Sequence, residues 1–259
     1  MKLSFMTFLY PQLECEALIS KARQFGYDGI EFRAESGHRH GVELDAAPGT
    51  LRAIRVRLAD AGLETSCLAT SVKFADPIQA ERDLNLERLS RYAELAAEVG
   101  APCIRIFSDP IPNGGRSKRA ESYHFQSEYL ARGAAAVASA GVKLCLETHS
   151  VFRAFDAGEV MFRAGYPSAL RINWHLEHCL VHGEDVDEAY RHVKGRVIHA
   201  HFSMSPHIER QMELLAQEGF QGYFSLEMIG RGGEDVADGL LLEQAAGWRE
   251  IQSRLGIGA

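Results

Sequence analysis

Two hydrophobic patterns alternate along the whole chain. Apolar residues first recur at spacings of three and four, the period of a helix with one buried face, as at Leu86, Leu89 and Ala93. Each such segment ends at a glycine, and a short run rich in β-branched and aromatic residues follows. Glycine just past a helix suits a left-handed cap, because it has no Cβ to clash there. The seven glycines are Gly26, Gly62, Gly100, Gly141, Gly165, Gly195 and Gly219.

These seven helix-to-strand transitions predict eight strands when the first apolar run, Leu3 to Phe8, is added. A closing helix is expected from Leu241 to Leu255. Strict alternation of strand and helix implies a parallel sheet, and eight units close a barrel. An open doubly wound sheet would usually carry a glycine-rich phosphate loop after its first strand, where this chain has Leu9-Tyr10-Pro11-Gln12. We therefore predict an α/β fold, a (β/α)8 TIM barrel that forms a single domain over residues 1–259.

Composition narrows the partners that we expect. The net charge of −7 argues against a protein that binds nucleic-acid backbones, since such proteins usually present a basic surface. The five cysteines are scattered and form no CxxC pair, which is typical of a cytoplasmic protein with reduced thiols. The apolar run near the N-terminus is short for a signal peptide and far too short to cross a membrane. We expect a small-molecule substrate, and neither nucleic acid nor membrane as a partner.

Strand residues alternate between two faces, and in several predicted strands one face is polar. In the fifth strand, Leu144 and Leu146 oppose Cys145 and Glu147, so the large apolar pair suits the helix layer and the polar pair should face the barrel axis. The next three strands show the same alternation, and each ends near an ionisable residue. The four residues of this set are Glu147, His175, His201 and Glu227, at intervals of 28, 26 and 26 residues.

Intervals of about one strand–helix unit should place these four side chains at one height on neighbouring strands, at the end of the barrel where enzymes of this fold keep their sites. Burying ionisable groups there costs several kcal/mol unless they are paired or bind a metal. Two carboxylates and two imidazoles make a ligand set for one divalent ion: Mn²⁺, Co²⁺, Zn²⁺ or Fe²⁺. The alternative is an interior salt-bridge network with Arg33 and Arg105.

Other polar positions are candidates for supporting roles. Arg105 faces inward and could bind a substrate hydroxyl, carboxylate or phosphate, or could form an ion pair with Glu31 or another interior acid. His199 shares a face with His201 one layer deeper, as a substrate-binding candidate or as a hydrogen-bond donor behind the metal ligands. His149 is in phase with Glu147 and is expected near the barrel mouth.

Two loops carry chemically suggestive side chains. The segment Gly37-His38-Arg39-His40-Gly41 resembles a metal cluster, but a solvated loop over the mouth is the expected outcome. The segment from Gly114 to Arg119 precedes the fourth helix, where backbone N–H groups and basic side chains could hold a phosphate. A basic lid without a ligand is the alternative.

The order and spacing of six segments resemble the xylose isomerase-like barrel superfamily, specifically its sugar-phosphate isomerase/epimerase branch. The likeness runs over nearly the whole chain. The segments are GYDGIEF (26–32), GAPCIRIF (100–107), GVKLCLETH (141–149), INWHLEH (172–178), GRVIHAHFS (195–203) and GYFSLE (222–227).

The resemblance implies that one divalent metal is bound through Glu147, His201 and Glu227. On the sixth strand that branch usually has Asp-x-x-His, whereas this chain has His175 and His178. The resemblance therefore places His178 against the substrate and puts an imidazole where a metal-binding Asp is usual. An imidazole removes one negative charge and favours borderline metals over Mg²⁺.

The activity that the resemblance implies is isomerisation or epimerisation of a small sugar, or of a sugar-like hydroxy-carbonyl compound, within carbohydrate metabolism. Proton transfer would pass through a metal-stabilised enediolate, with Glu147 and Glu227 as the catalytic acid/base pair. A metal-dependent dehydratase (a lyase) acting on a cyclic polyol or a dehydroshikimate-type substrate is the runner-up. Members of the branch are often dimers or tetramers, so a homo-oligomer is also expected.

Two further alternatives remain. A DNA-repair endonuclease of the same fold would need a three-metal cluster, and the predicted strands one, three and four lack the additional ligands. A barrel that has lost its metal is suggested by His175.

Overall fold

The computed structural model describes residues 1–111 and 115–257, and its eight parallel strands close into one barrel in the order β1 to β8, with β1 paired to β8. The predicted (β/α)8 architecture is thus confirmed. The strands are β1 Lys2–Met6, β2 Gly29–Arg33, β3 Glu64–Lys73, β4 Cys103–Phe107, β5 Lys143–Glu147, β6 Leu170–Asn173, β7 Val197–Phe202 and β8 Tyr223–Leu226.

Helices on the outside follow the strands. They are α1 Cys15–Phe25, α2 Pro48–Asp60, α3 Gln79–Val99, α4 Gly115–Ala138, α5 Ala154–Arg163, α6 Leu176–Val181, α7 Val186–Val193, α8 Ile208–Gln217 and α9 Glu234–Arg254. Two predicted boundaries differ. The first strand stops at Met6, where a 3₁₀ turn (Thr7–Leu9) begins, and the closing helix starts at Glu234 rather than Leu241.

The seven glycines that the sequence singled out all adopt left-handed backbone conformations, with φ between 71° and 78°. At Gly26, the N–H donates back to the carbonyl groups of Ala22 and Arg23, which ends α1 and turns the chain toward β2. The prediction of glycine-capped helices is therefore confirmed.

The alternation of strand residues separates two buried layers. Between the strands and helices lies an apolar layer that includes Ile30, Phe32, Leu144 and Leu146, none of which has exposed surface. The inward positions are small or polar. Three of the five free, buried cysteines (Cys67, Cys103 and Cys145) pack together on the inner face, and the ionisable side chains lie nearer the carboxyl ends of the strands.

None of the helices in the described ranges combines the length and the apolar character that crossing a membrane requires.

Candidate metal centre at the barrel mouth

The structure brings Glu147, His175, His201 and Glu227 to one place, with one ligand atom from each lying within 4.8 Å of the others. Glu147 ends β5, His201 lies in β7, and Glu227 directly follows β8. His175 follows β6 and is the residue before α6. Glu147 and His201 are completely buried, whereas the side chains of His175 and Glu227 are 12% and 15% exposed. The group therefore lines the floor of the barrel mouth.

Four contacts join these residues into a closed ring of alternating oxygen and nitrogen atoms. Nδ1 of His201 lies 2.9 Å from Oε1 of Glu147 and 2.8 Å from Oε2 of Glu227. Nδ1 of His175 lies 3.2 Å from each of the same two oxygens. Two atoms bound to one ion at about 2.1 Å are roughly 3.0–3.4 Å apart when they are adjacent ligands. The ring therefore has close to the spacing of a metal coordination shell.

Each imidazole of the ring also has a carboxylate behind it. Nε2 of His201 donates to Glu31 at 3.0 Å, and Nε2 of His175 lies 3.7 Å from Oε2 of Glu177. A proton held on Nε2 leaves the lone pair of Nδ1 directed into the ring, which is the usual arrangement of a metal-binding histidine. The donor set and its orientation thus fit a single divalent cation.

The close contacts between carboxylates and imidazoles shift the pKa values of all four groups of the ring. Burial opposes a charge on His175, but the hydrogen bonds that its imidazole donates to Glu147 and Glu227 outweigh burial and raise its pKa to about 9. Burial opposes a charge on His201 as well, and Glu31, Glu227 and Glu147 together raise its pKa well above the usual range. Burial also opposes ionisation of Glu147 and Glu227, yet neighbouring cationic groups hold both pKa values below the ordinary range.

Arg105 lies beneath the ring and is completely buried. Its Nε is 3.2 Å from Oε2 of Glu147, its Nη2 is 3.9 Å from Oε1 of Glu227, and its Nη1 donates to the carbonyl of Thr70. The guanidinium is enclosed by the barrel, and the substrate contact suggested for Arg105 stays a prediction. The expected alternative, an interior ion pair, is the arrangement seen. Arg33, the other proposed partner, hydrogen-bonds Ser71 instead.

His199 lies one layer deeper than the ring, as its place in β7 predicts. It is 1% exposed, and its Nε2 donates to Glu31 at 3.0 Å. This is the position of a hydrogen-bond donor behind the candidate metal ligands, and the suggested substrate contact of His199 stays a prediction. The sequence put Glu31 on the inner face as a partner for Arg105, but its hydrogen bonds go to His199 and His201.

One wall of the mouth is a row of rings. The imidazole centroid of His178 is 4.2 Å from that of His175 and 4.7 Å from that of His149, which in turn lies 4.5 Å from the ring of Phe107. His178 is thus beside the ring of metal-ligand atoms, and burial together with the charges of His175 and His149 lowers its pKa to about 4. His149 also contacts Asp109, with Nδ1 2.8 Å from Oδ1. Sequence reasoning missed Phe107 and Asp109, which follow an inward-facing residue of β4 and could have been sought there.

The histidine-containing loop at residues 37–41 and the basic segment before α4 compare differently with their predictions. The expectation of a solvated loop at residues 37–41 is wrong for His40, which is 2% exposed because it donates to the carbonyl of Arg33 and packs on Phe32. In the basic segment, Arg116 and Lys118 are exposed in the first turn of α4. Gly114, in the same segment, lies outside the described residues.

The chain is thus a closed parallel (β/α)8 barrel with a candidate site for one divalent cation, formed by two carboxylates and two imidazoles at the carboxyl ends of its strands. This chain belongs to the xylose isomerase-like TIM barrel family, whose sequence model matches residues 19–255. No curated protein gave a significant match.

Similar solved structures cover almost the whole chain. A D-psicose 3-epimerase crystallised in the presence of D-fructose aligns over 100% of both chains with a TM-score of 0.78 and 16% identity. A 3-keto-D-glucoside 4-epimerase from E. coli aligns over 98% of both chains (TM-score 0.74, 16% identity). A probable 3-DHS dehydratase involved in petrobactin synthesis from Bacillus anthracis aligns over 96% of this chain and 99% of its own (TM-score 0.75, 18% identity). At such identities the likeness is one of fold.

Proposed function

We propose that this chain is a divalent-metal-dependent isomerase or epimerase of a small sugar or sugar-like hydroxy-carbonyl compound. The observation that supports this most is the ring formed by Glu147, His175, His201 and Glu227, in which four donor atoms meet at ligand spacing and both imidazoles are backed by carboxylates. The epimerase names among proteins of the same fold support the reaction class.

A divalent cation held in this ring would polarise the carbonyl group of a bound substrate and so acidify the neighbouring C–H bond. We assign the proton transfer to Glu147 and Glu227, which come from β5 and β8, three strands apart around the barrel. Glu227 is the more accessible of the two, so we expect it to exchange the proton with the substrate most directly. Arg105 below them lies 3.2 Å from Glu147 and 3.9 Å from Glu227, and it balances part of their negative charge.

His178 is the substrate-orienting residue of this proposal. Its lowered pKa leaves the imidazole neutral at pH 7, so one ring nitrogen can donate a hydrogen bond and the other can accept one. Its position beside His175, at the wall of the mouth, suits contact with a hydroxyl or carbonyl oxygen of a substrate that faces the ring.

A dehydratase is the second candidate, and the pair formed by Asp109 and His149 favours it. Loss of water needs an acid that protonates the departing hydroxyl, in addition to the base that removes the C–H proton. His149 lies next to His178 at the mouth, and the carboxylate of Asp109, 2.8 Å from its Nδ1, holds the imidazole in place as a candidate for that acid. A dehydratase of the same fold is among the similar structures.

The experiment that tests the proposal combines metal analysis with isotope exchange. Protein loaded with Mn²⁺ or Co²⁺ is incubated in D₂O with a panel of ketoses, aldoses and cyclic hydroxy-ketones, and the products are followed by NMR and mass spectrometry. An isomerase or epimerase introduces deuterium next to the carbonyl without losing the elements of water, whereas a dehydratase gives a product lighter by one water molecule.

The Glu227→Gln protein should lose this activity. Glu64→Gln is the matched control, since Glu64 starts β3 at the opposite end of the barrel and pairs with the exposed Lys2. The proposal fails if the purified protein binds none of these metals, or if Glu227→Gln retains wild-type turnover. Cytoplasmic location and homo-oligomerisation remain predictions, and light scattering of the purified protein measures the latter.

A further inference from the structure

Glu31 is a buried carboxylate that the proposed proton transfer does not use. It lies in β2, has no exposed surface, and reaches across the barrel axis to β7, three strands away. Nε2 of His201 lies 3.0 Å from its Oε1, and Nε2 of His199 lies 3.0 Å from its Oε2. One carboxylate thus stands between two imidazoles at the bottom of the candidate metal centre.

These contacts fix the proton of His201. An ionised carboxylate can only accept hydrogen bonds, so the ring nitrogens that face Glu31 must carry the hydrogens. With hydrogen on Nε2, a neutral His201 presents the lone pair of Nδ1 to the space between Glu147 and Glu227. The other tautomer would direct an N–H bond into that space and exclude a cation.

Charge gives a second reason for a carboxylate at this position. A divalent cation would be balanced by Glu147 and Glu227, but Arg105, 3.2 Å from Glu147, adds a buried positive charge. Glu31 supplies the negative charge that balances Arg105. Without it, the filled centre would carry a net positive charge in a closed interior, where unbalanced charge is costly.

We infer that Glu31 is a positioning residue of the metal centre, which sets the tautomer of His201 and balances the charge of Arg105 so that a divalent cation binds tightly. This inference rests on the proposed function, since it assumes that the ring holds a metal.

A rival interpretation makes Glu31 a metal ligand itself. Ligand atoms of Glu31, Cys67 and His199 also lie within 4.8 Å of one another. Both oxygens of Glu31 already accept hydrogen bonds from imidazoles, however, which leaves the carboxylate poorly placed for a second ion. The two interpretations differ in stoichiometry: a positioning residue requires one ion per chain, and a second site requires two.

The test is titration of metal-stripped protein with Co²⁺, followed by visible absorption and by competition with a chelator. We expect one Co²⁺ per wild-type chain, and Glu31→Leu should weaken binding by about 10- to 100-fold, the usual effect of removing the partner of a ligating histidine. Glu31→Gln retains one acceptor oxygen for His201, so its Co²⁺ affinity should lie between those of the wild-type and Glu31→Leu proteins. The absorption bands of bound Co²⁺ should shift in both variants, because the orientation of His201 changes.

His199→Leu is the matched control, because it removes the other contact of the same carboxylate and leaves the Glu31–His201 hydrogen bond in place. If Glu31 merely joins β2 to β7, breaking either contact lowers the melting temperature of metal-stripped protein, but Co²⁺ affinity stays at the wild-type value in all variants. That result would overturn the inference and leave the proposed function standing. Two Co²⁺ per wild-type chain, with one lost in Glu31→Leu, would also overturn it.

Failure of wild-type protein to bind Co²⁺ removes the proposed function and this inference together. Nitrogen NMR of wild-type protein loaded with Zn²⁺ needs no variant and covers the case in which Glu31→Leu does not fold. The inference requires His201 to be protonated on Nε2, and protonation on Nδ1 contradicts it.

Discussion

Binding of a metal ion to this protein should release close to two protons at pH 7. In protein stripped of metal, the carboxylates around His175 raise its pKa to about 9, and the carboxylates around His201 raise its pKa well above the ordinary range. Both imidazoles are therefore protonated at pH 7, and both must lose the Nδ1 proton before they can bind a cation. His178 and His40 contribute no proton, since burial lowers the pKa of each to about 4.

Two displaced protons make the apparent metal affinity rise steeply with pH, by up to about 100-fold per pH unit, and the rise becomes shallower as the pH approaches the pKa of His175, about 9. Isothermal titration calorimetry of Co²⁺ binding, repeated at pH 7 in buffers of different ionisation enthalpy, counts the protons directly. Chelator competition between pH 6.5 and 8.5 measures the slope. Fewer than one proton released, or an affinity that does not change over that range, would refute the reasoning.

The raised pKa of His175 should also make the stability of the metal-stripped protein depend on pH. A histidine whose pKa is higher in the folded protein than in the unfolded chain stabilises the fold at low pH, and this contribution disappears as the pH rises through the folded value. For His175 that window runs from about pH 6.5 to 9, and the loss is on the order of 3 kcal/mol. Thermal melting of metal-stripped protein should therefore show a falling midpoint over this window, and metal-loaded protein should show much less change.

Three substitutions test separate parts of the site. Arg105→Leu leaves Glu147 without its buried cationic partner and should lower the free energy of unfolding of metal-stripped protein by about 3–5 kcal/mol, measured by urea titration. The exposed control Arg254→Leu should lose less. An equal loss in the two variants would contradict the assigned ion pair. His175→Asp should shift metal preference toward Mn²⁺ and Mg²⁺ in competition binding and reduce the proton release by one, because a carboxylate is a harder ligand and is already ionised. His149→Phe should lower turnover by about 100-fold or more if His149 is the acid of a dehydration, with metal affinity unchanged; a loss of metal affinity would place His149 in the metal centre instead.

Much of the fold was predictable because each repeat of the chain carries two independent signals. The helical period identifies the outer layer, and a glycine such as Gly26 identifies the turn back to the next strand. Period-two alternation then assigns the inner face, which is why the meeting of Glu147 with His201 could be expected from residues 54 positions apart.

The partners of the inward-facing side chains were less predictable. Sequence periodicity shows that Glu31, Arg105 and His199 face the axis, but it does not give the direction in which each side chain reaches across the barrel. Arg105 forms its ion pair with Glu147 on the neighbouring strand β5, while Glu31 in β2 reaches across to His199 in β7. These pairings depend on how the strands are arranged around the closed barrel, which the sequence pattern does not give. The contacts at the barrel mouth were the least predictable from the sequence, because the position of Asp109 beside His149 depends on the irregular backbone after β4.

The segment His175-Leu176-Glu177-His178 suggests how an imidazole can work as the sixth-strand ligand. A histidine there needs an acceptor for its second nitrogen, or its tautomer is not fixed. Glu177, in the first turn of α6, places Oε2 3.7 Å from Nε2 of His175, which is an ion-pair distance longer than a hydrogen bond. Neither carboxylate oxygen of Glu177 has a hydrogen-bond partner within residues 1–111 and 115–257. Three consecutive residues of the sequence therefore provide both a candidate ligand and a carboxylate beside it, which is the arrangement that a metal centre with an imidazole at this position would require.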